Sequence, residues 1–368
     1  MSSFACQAYP VRLEVHPNAD RIELACVHDY LSIVQKGDFG EGELAIYIPE
    51  AAIVPDEIMT CLGLFERDEQ DEPVCDEAGR LAFKLAGPQH NRVKAMRLRG
   101  ILSQGLLYKP DFSLEQDTDY SERLGITKWE PPVPLHFAGQ ITPAPGIQGY
   151  TDIENIKRYP DVLQEGEEVY ASEKIHGSCS LYCLDVTRDE FCVASKGFAS
   201  RGLALVDTLN DKGESANIYW RAAKLVQMEE KLRALAAGRF SGCERIMLYG
   251  ETFGVQDLRY GLTNGAIDLR IFDMSVDGEY LDIDDFLTVA ENAGFTVVPQ
   301  LYRGPYSKQL LASMAEGREQ VTGKEVSLRE GLVVRPVRER HDLELGRVIL
   351  KFISERYLTR KGDTTEYE

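Results

Sequence analysis

The sequence predicts an α+β protein of two domains, a small N-terminal β-barrel and a larger domain of antiparallel strands with flanking helices. The first part of the chain contains short alternating stretches separated by Gly, Asn and Pro turns, whereas residues 150–360 mix strand patterns with helical ones. A length of 368 residues with 43% hydrophobic content is enough for two cores of ordinary size.

The N-terminal part, which we assign to residues 1–130, shows three strand-like regions. Residues 10–24 alternate into a turn and out again, and residues 40–49 and 97–107 repeat the pattern. Short strands joined by such turns are typical of a small closed barrel.

Proline and glycine concentrate at residues 130–134 and again at 142–146. Such composition favours an extended connection, so we predict a linker over residues 131–149 and a second domain over residues 150–368.

The second domain contains two predicted helices. Apolar residues recur at helical spacing before Gly238, and a further helix fits Asp284 to Asn292, ending near Gly294. The first helix is indicated by Ile218, Ala222, Leu225, Met228, Leu232 and Leu235. Residues 267–274 alternate as a strand with Ile267, Leu269, Ile271 and Asp273 on one face, and Asp268, Arg270, Phe272 and Met274 on the other.

Four short motifs follow one another along this domain and point to its chemistry. They are Glu173–Ser178, Tyr249–Glu251, Glu330–Val334 and Leu350–Ser354. In this order they suggest that Lys174 captures a nucleotide as a covalent phosphoramidate. A lysine becomes nucleophilic near neutral pH only where nearby cations or desolvation favour its neutral form. Alone, Lys174 would read as a solvated surface lysine.

Other residues of these motifs supply different chemical parts. Lys351 is the candidate for stabilising charge on the phosphoryl oxygens, and Gly177 suits a tight turn that accepts positive φ. Glu251 ends an apolar strand, where it is a candidate for binding ribose hydroxyls or a metal, and Glu330 is a second candidate metal ligand. Phe272 is a candidate for stacking on a purine, although a core position is the commoner fate of a phenylalanine.

With these motifs the chain resembles the ATP-dependent RNA ligases of the covalent nucleotidyltransferase superfamily, in the Deinococcus/Naegleria branch with an N-terminal OB domain. The resemblance implies an OB-like barrel followed by an adenylyltransferase domain that is ATP-grasp-like. It implies that Lys174 is adenylated, that Glu251, Glu330 and Lys351 are the carboxylates and lysine of the later motifs, and that Phe272 stacks on adenine. It also places Lys196 and Arg201 against phosphate, with ATP and Mg²⁺ or Mn²⁺ as cofactors.

Two departures from the family pattern concern the same site. His176 stands where Asp or Asn is common in the first motif, and Ile353 stands where many relatives have a second lysine in the last. Arg347 or Lys196 is the candidate to replace that cation, because Arg347, Ile349 and Lys351 share one face if the strand has period two.

A formal net charge of −19 argues against binding a polyanion with the whole surface. From Lys84 to Lys109, however, the chain is basic without Asp or Glu, which predicts either a positive strip or an ordinary charged sheet face. The basic residues are Lys84, Arg92, Lys94, Arg97, Arg99 and Lys109. The resemblance implies that the partner is RNA or an RNA/DNA duplex with a nick.

Alternatives remain at this point. The same motifs serve DNA ligases and GTP-dependent capping enzymes, and His176 with Ile353 also fits a catalytically inactive nucleic-acid-binding protein. The sequence shows no apolar run of about 20 residues and no Cys-x-x-Cys pair. We therefore expect a cytoplasmic monomer with no membrane partner.

Overall fold

The computed structural model describes residues 4–75, 79–129 and 140–360. The chain divides into two compact units. The larger unit comprises Pro132–Ile156 and Asp161–Ser354, and the smaller unit comprises Ser2–Pro131, Lys157–Pro160 and Glu355–Glu368. None of the helices within the described ranges has the length and apolar character needed to cross a bilayer.

The smaller unit is built from short antiparallel strands and short helices, two of which precede the larger unit in the chain. Its strands are β1 (Ala8–Pro10), β2 (Arg12–Val15), β3 (Ile22–Val27), β4 (Tyr30–Gln35), β5 (Leu44–Ile48), β6 (Ala52–Ile53), β7 (Met96–Leu98), β8 (Ile101–Ser103), β9 (Leu106–Tyr108) and β10 (Thr127–Lys128), and its helices are α1 (Asp56–Cys61) and α2 (Ser121–Leu124). The three strand-like regions predicted from the sequence are confirmed as β2 and β3, β5, and β7 to β9.

These strands are divided over four sheets, namely β1-β5-β9, β2-β3-β4, β6-β10 and β7-β8. The predicted closed barrel is therefore not formed among residues 4–75 and 79–129. Several strands have only two or three residues, so their hydrogen-bond ladders are too short to continue from one sheet into the next. Apolar side chains such as Ile46, Ile48 and Met59 pack in the interior of the unit.

The larger unit is a mixed α+β structure. Its strands are β11 (Ile141–Pro143), β12 (Glu154–Asn155), β13 (Glu168–Lys174), β14 (Ser178–Asp185), β15 (Glu190–Ser195), β16 (Leu203–Leu205), β17 (Arg245–Phe253), β18 (Asp268–Val276), β19 (Glu279–Tyr280), β20 (Gln300–Pro305), β21 (Gly331–Pro336), β22 (His341–Asp342), β23 (Gly346–Arg347) and β24 (Leu350–Ile353). Its helices are α3 (Lys196–Ala199), α4 (Ile218–Leu225), α5 (Met228–Ala237), α6 (Ile283–Asn292) and α7 (Lys308–Ala315), and the final helix α8 (Glu355–Leu358) belongs to the smaller unit.

Two sheets organise this unit. A seven-stranded sheet has the order β11-β16-β15-β14-β17-β18-β19, and a five-stranded sheet has the order β12-β24-β21-β13-β20. Helices α4, α5 and α6 cover one face of the larger sheet through a core that includes Ala222, Leu232 and Phe286. Its other face packs, through Tyr249 and Met247, against Ile349 and Val333 of the region around the smaller sheet. The two sheets therefore face each other, and residues 175–177 connect one to the other.

The single helix predicted up to Gly238 is two helices, α4 and α5. Gln227 lies between them with φ of 54°, in the left-handed region, and this conformation interrupts the helix. Five of the six predicted apolar positions still share one core, whereas Leu225 is exposed. The helix predicted from Asp284 to Asn292 is confirmed as α6, and Gly294 follows it with φ of 65°.

Strand β18 contains a bulge that changes the predicted alternation. Asp273 pairs with Tyr249 but Ile271 pairs with Gly250, so Phe272 is an extra residue. As a result Met274 packs in the same core as Leu269 and Ile271, and the prediction that it shares a face with Phe272 was wrong.

The predicted linker is only partly described, because residues 131–139 lie outside the described residues. Its second half differs from an extended connection. Strand β11 pairs with β16 at the edge of the seven-stranded sheet, and Ala144 and Ile147 are buried against that sheet.

Candidate active site

The candidate nucleophile, Lys174, is the last residue of β13. Its side chain is 16% exposed, and Nζ contacts Oε1 of Glu330, whose side chain is 1% exposed. Strand pairing explains the contact, because Lys174 lies opposite Gly331 in the register between β13 and β21. The first and third of the four sequence motifs are thus brought together by one antiparallel pair of strands.

Gly177 follows in the connection between the two sheets, and the reason for a glycine differs from the one predicted. It does not adopt positive φ. A Cβ at this position would instead lie 2.5 Å from the Thr252 carbonyl oxygen and 2.8 Å from Cγ of Glu251. The glycine therefore permits close approach of the motif to β17, where Glu251 is carried.

Glu251 lies close to the same pair of charges. Burial raises the pKa of its carboxyl to about 8, the cations Lys174 and Lys196 act to lower the pKa, and the Glu330 carboxylate acts to raise it. Glu251, on the other sheet, is therefore within electrostatic reach of both Lys174 and Lys196.

Lys351 is placed by strand register. In β21, Val333 lies opposite Ser172 of β13 on one side and Lys351 of β24 on the other. Directly opposed residues share a face, and so do residues two apart along a strand. Lys351 therefore points to the same face of the five-stranded sheet as Lys174, and it is 8% exposed.

Arg347 does not continue this row, so the prediction that it shares a strand face with Lys351 was wrong. The amide of Ile349 donates to the Arg347 carbonyl at 3.0 Å, and this tight turn separates β23 from β24. The Arg347 guanidinium donates to Asp273 at 2.7 Å and to Glu339 at 2.6 Å.

Lys196 and Arg201 differ in their surroundings. Nζ of Lys196 contacts Oδ1 of Asp152 at 2.6 Å and donates to the Thr151 carbonyl at 3.1 Å. Arg201 is exposed, donates to the Gly197 carbonyl at 3.1 Å and stacks over the Phe198 ring. Lys196 thus belongs to the charged group around Glu251, whereas the contacts of Arg201 are local to α3.

Phe272 is half-buried. Its ring meets Tyr150 edge to face, with centroids 5.1 Å apart and planes at 64°. The Tyr150 hydroxyl donates to Asp273 at 2.8 Å, and Arg335 donates to the other oxygen of the same carboxylate at 2.9 Å. Although burial alone would raise the pKa of Asp273, Arg335 and Arg347 lower it. Tyr150 therefore connects the Phe272 ring to a buried ionic network of Asp273, Arg335 and Arg347.

The two carboxylates fit a divalent metal. Oε2 of Glu330 is buried without a hydrogen-bond partner, and Glu251 lies close by with a raised pKa. No group of three His, Cys, Asp or Glu side chains suited to a metal occurs in the ranges that the structure covers. A hard cation at these two carboxylates would take its remaining oxygen ligands from phosphate and water.

Sequence reasoning missed the partners of His176. Its Nε2 lies 2.7 Å from Oδ1 of Asp257, and its backbone amide donates to the Tyr260 hydroxyl at 2.7 Å. Both partners lie in the loop between β17 and β18, which has no periodic pattern. The one available signal was their position shortly after Glu251.

The predicted basic strip between Lys84 and Lys109 is not continuous. Arg92 is 1% exposed and stacks on Trp129. Lys109 pairs with Glu43 at 2.8 Å, and Arg97 pairs with Glu355 at 2.7 Å, so several of the charges are neutralised locally.

Comparisons with known proteins identify the family and similar folds. Residues 167–353, just over half of the chain, match the RNA ligase family. Among solved structures, the Naegleria gruberi RNA ligase with PPi is 24% identical with a TM-score of 0.73, covering 97% of this chain and 98% of that one. A lysine-to-alanine variant of the same ligase with ATP and Mn is 22% identical with a TM-score of 0.72, covering 96% and 98%. A lysine-to-methionine variant of that ligase with AMP and Mn is 22% identical with a TM-score of 0.70, covering 96% of this chain and 98% of that one. Among curated proteins, no significant match is found.

Proposed function

This chain belongs to the RNA ligase family, and from that premise we propose that it joins an RNA 3′-hydroxyl to a 5′-phosphate at the expense of ATP. The observation that carries the proposal is the contact of Lys174 with Glu330 within reach of Glu251 and Lys196. The Naegleria gruberi structures that share the fold contain ATP, AMP, PPi and Mn, which supports ATP and a divalent metal as the cofactors.

In the first step the Lys174 amine attacks the α-phosphorus of ATP. A P–N bond forms, the bond to pyrophosphate breaks, and the amine loses a proton. Lys174 must be neutral to attack, so a cation that occupies the Glu330 carboxylate would release the lysine from its ion pair. Lys351, on the same sheet face, would stabilise the charge on the phosphoryl oxygens.

A Mg²⁺ or Mn²⁺ ion would neutralise phosphate charge when bound. Glu251 and Glu330 would hold it, because they are the closely spaced carboxylates on the facing sheets and Glu330 has an unpartnered buried oxygen. Phe272 has a half-buried ring beside Tyr150, and this ring would stack on adenine.

The later steps transfer AMP to the 5′-phosphate and then close the phosphodiester with release of AMP. We propose that the substrate is RNA, or an RNA/DNA duplex, with a nick. The smaller unit would bind it as an OB-like module, and Lys84 and Arg99 remain exposed on that unit.

The test is protein labelling by ATP that carries the label on its α-phosphate. The wild-type protein should retain label, and Lys174→Ala should retain none. Lys231→Ala is a matched control. Lys231 lies on α5, away from the candidate site, and its amine donates to the Gly294 carbonyl. Label on Lys174→Ala at the wild-type level would remove Lys174 from its role.

Labelling with GTP, sealing of DNA ends and binding of nicked duplex separate the alternatives. Label from GTP in place of ATP would indicate a capping enzyme, and sealing only of DNA ends would indicate a DNA ligase. Binding of nicked duplex without lysine labelling would indicate an inactive nucleic-acid-binding protein.

A further inference from the structure

The loop that follows Glu251 folds back on the turn that follows Lys174. Three side chains of this loop make the contacts, and we call them the loop clamp: Gln256, Asp257 and Tyr260. Gln256 donates to the Ser178 hydroxyl at 2.9 Å, Asp257 lies 2.7 Å from the His176 ring, and the Tyr260 hydroxyl accepts the His176 amide at 2.7 Å.

Tyr260 holds an unusual backbone conformation. Its φ is 51°, in the left-handed region that bulky side chains rarely adopt, and its side chain is 1% exposed. Such conformations persist where the surroundings determine them, and they cluster at functional sites. Here the ring packs against Phe253, with centroids 5.1 Å apart, and in one cluster with Ile175 and Val321.

The turn held by the loop clamp is also constrained by the buried side chain of Ile175 and by the close approach of Gly177 to β17. Residues 175–177 lead from β13 in the five-stranded sheet to β14 in the seven-stranded sheet. The turn therefore sets how Lys174, on one sheet, is oriented toward Glu251, on the other. The His176 amide is part of this turn, and its acceptor is a side chain and not a strand neighbour.

We propose that Tyr260 is a positioning residue for lysine adenylylation, assisted by Asp257 and Gln256. Its hydroxyl fixes the backbone at His176, and this fixes the direction in which Lys174 leaves β13. The inference rests on the proposed function, since it assigns how the nucleophile of that reaction is oriented. A small displacement of a nucleophile from its line of attack slows the reaction without preventing substrate binding.

Asp257 makes a second, independent contact to the same residue. It fixes the orientation of the His176 ring, while Tyr260 fixes the His176 backbone. Because both act on one turn, substitutions at the two positions should not be additive.

The experiment compares Tyr260→Phe with Tyr120→Phe. Both changes remove the hydroxyl of a buried tyrosine that accepts a hydrogen bond from a backbone amide. In the smaller unit, the Tyr120 hydroxyl accepts this bond from the Glu115 amide at 2.9 Å. Single-turnover labelling of the protein should slow about tenfold in Tyr260→Phe, which corresponds to roughly 1.4 kcal/mol on the barrier, with the ATP concentration for half-maximal rate little changed. Tyr120→Phe should keep the wild-type rate.

Hydrogen exchange gives a readout that does not depend on activity. The His176 amide should exchange faster in Tyr260→Phe than in the wild type. In the labelling experiment, the double variant Tyr260→Phe/Asp257→Asn should be slowed by a factor smaller than the product of the factors for the two single variants. A wild-type labelling rate in Tyr260→Phe, unchanged protection of the His176 amide, or an equal fall of rate and ATP affinity would each overturn the proposal. If the wild-type protein takes no label, the proposed function fails, and amide exchange alone then decides whether the clamp holds the turn.

Discussion

Lys174 and Glu330 meet across two neighbouring antiparallel strands, with the carboxylate almost fully buried and its second oxygen without a hydrogen-bond partner. In this arrangement the Lys174 amine is paired with a buried carboxylate. It also leaves one carboxylate oxygen available to a cation. Under the proposed function, the pair would link release of Lys174 to binding of a metal.

Replacing Glu330 should test this link. In Glu330→Gln the metal loses a charged ligand and the lysine loses its ionic partner, so we expect single-turnover labelling to fall by about 100-fold, the usual scale for loss of an electrostatic group at such a site. Glu344→Gln, on the exposed hairpin between β22 and β23, is the control. Labelling by Glu330→Gln within a few fold of wild type would show that the carboxylate is not needed.

Gly177 offers a test of the close approach between the two sheets. A Cβ at this position would lie 2.5 Å from the Thr252 carbonyl oxygen, so Gly177→Ala requires the backbone to move. We expect a loss of about 1–3 kcal/mol in the free energy of unfolding, measured with urea, and slower labelling. Gly197→Ala is matched to it, since a Cβ added there would have no atom within 4 Å. Equal stability of the two variants would contradict this role of the glycine.

Much of this site follows from local sequence, and the reasons for the rest are physical. Lys174 ends β13, Glu330 directly precedes β21 and Glu251 lies near the end of β17, each next to an apolar run that is visible along the chain. The loop clamp is not visible in the sequence, because its contacts depend on how an aperiodic loop folds back on the β13–β14 turn. Asp273 was assigned to the wrong face because a bulge in the paired strands adds one residue, and no local pattern marks that bulge.

The carboxyl of Glu173 should make stability depend on pH. Burial raises its pKa to about 7, although the Gln320 amide and Arg329 act to lower it. Because the folded-state pKa lies above the unfolded value, the stabilising contribution is complete below about pH 4.5 and is lost as the pH rises through about 7. The loss should reach about 3 kcal/mol at most.

The measurement is urea unfolding at several pH values between 4.5 and 8. Glu173→Gln removes the titrating group, so its stability should fall less steeply with pH than that of the wild type. Glu168→Gln, at the exposed start of the same strand, should keep the wild-type slope. Identical slopes for all three proteins would rule out Glu173 as the source.

The buried ion pairs of Asp273 should contribute more to the free energy of unfolding than an exposed ion pair does. Asp273 is fully buried and pairs with Arg335 and Arg347, so Asp273→Asn removes one of the two carboxylates that these buried guanidinium groups share and leaves them only Glu339. Removing one partner of a buried pair costs about 3–5 kcal/mol. The matched control is Asp284→Asn, which breaks the exposed pair with Arg303 and should cost about 1 kcal/mol or less. Urea unfolding of both variants gives the comparison. A cost for Asp273→Asn no larger than that for Asp284→Asn would mean that Glu339 alone is a sufficient partner for the two arginines.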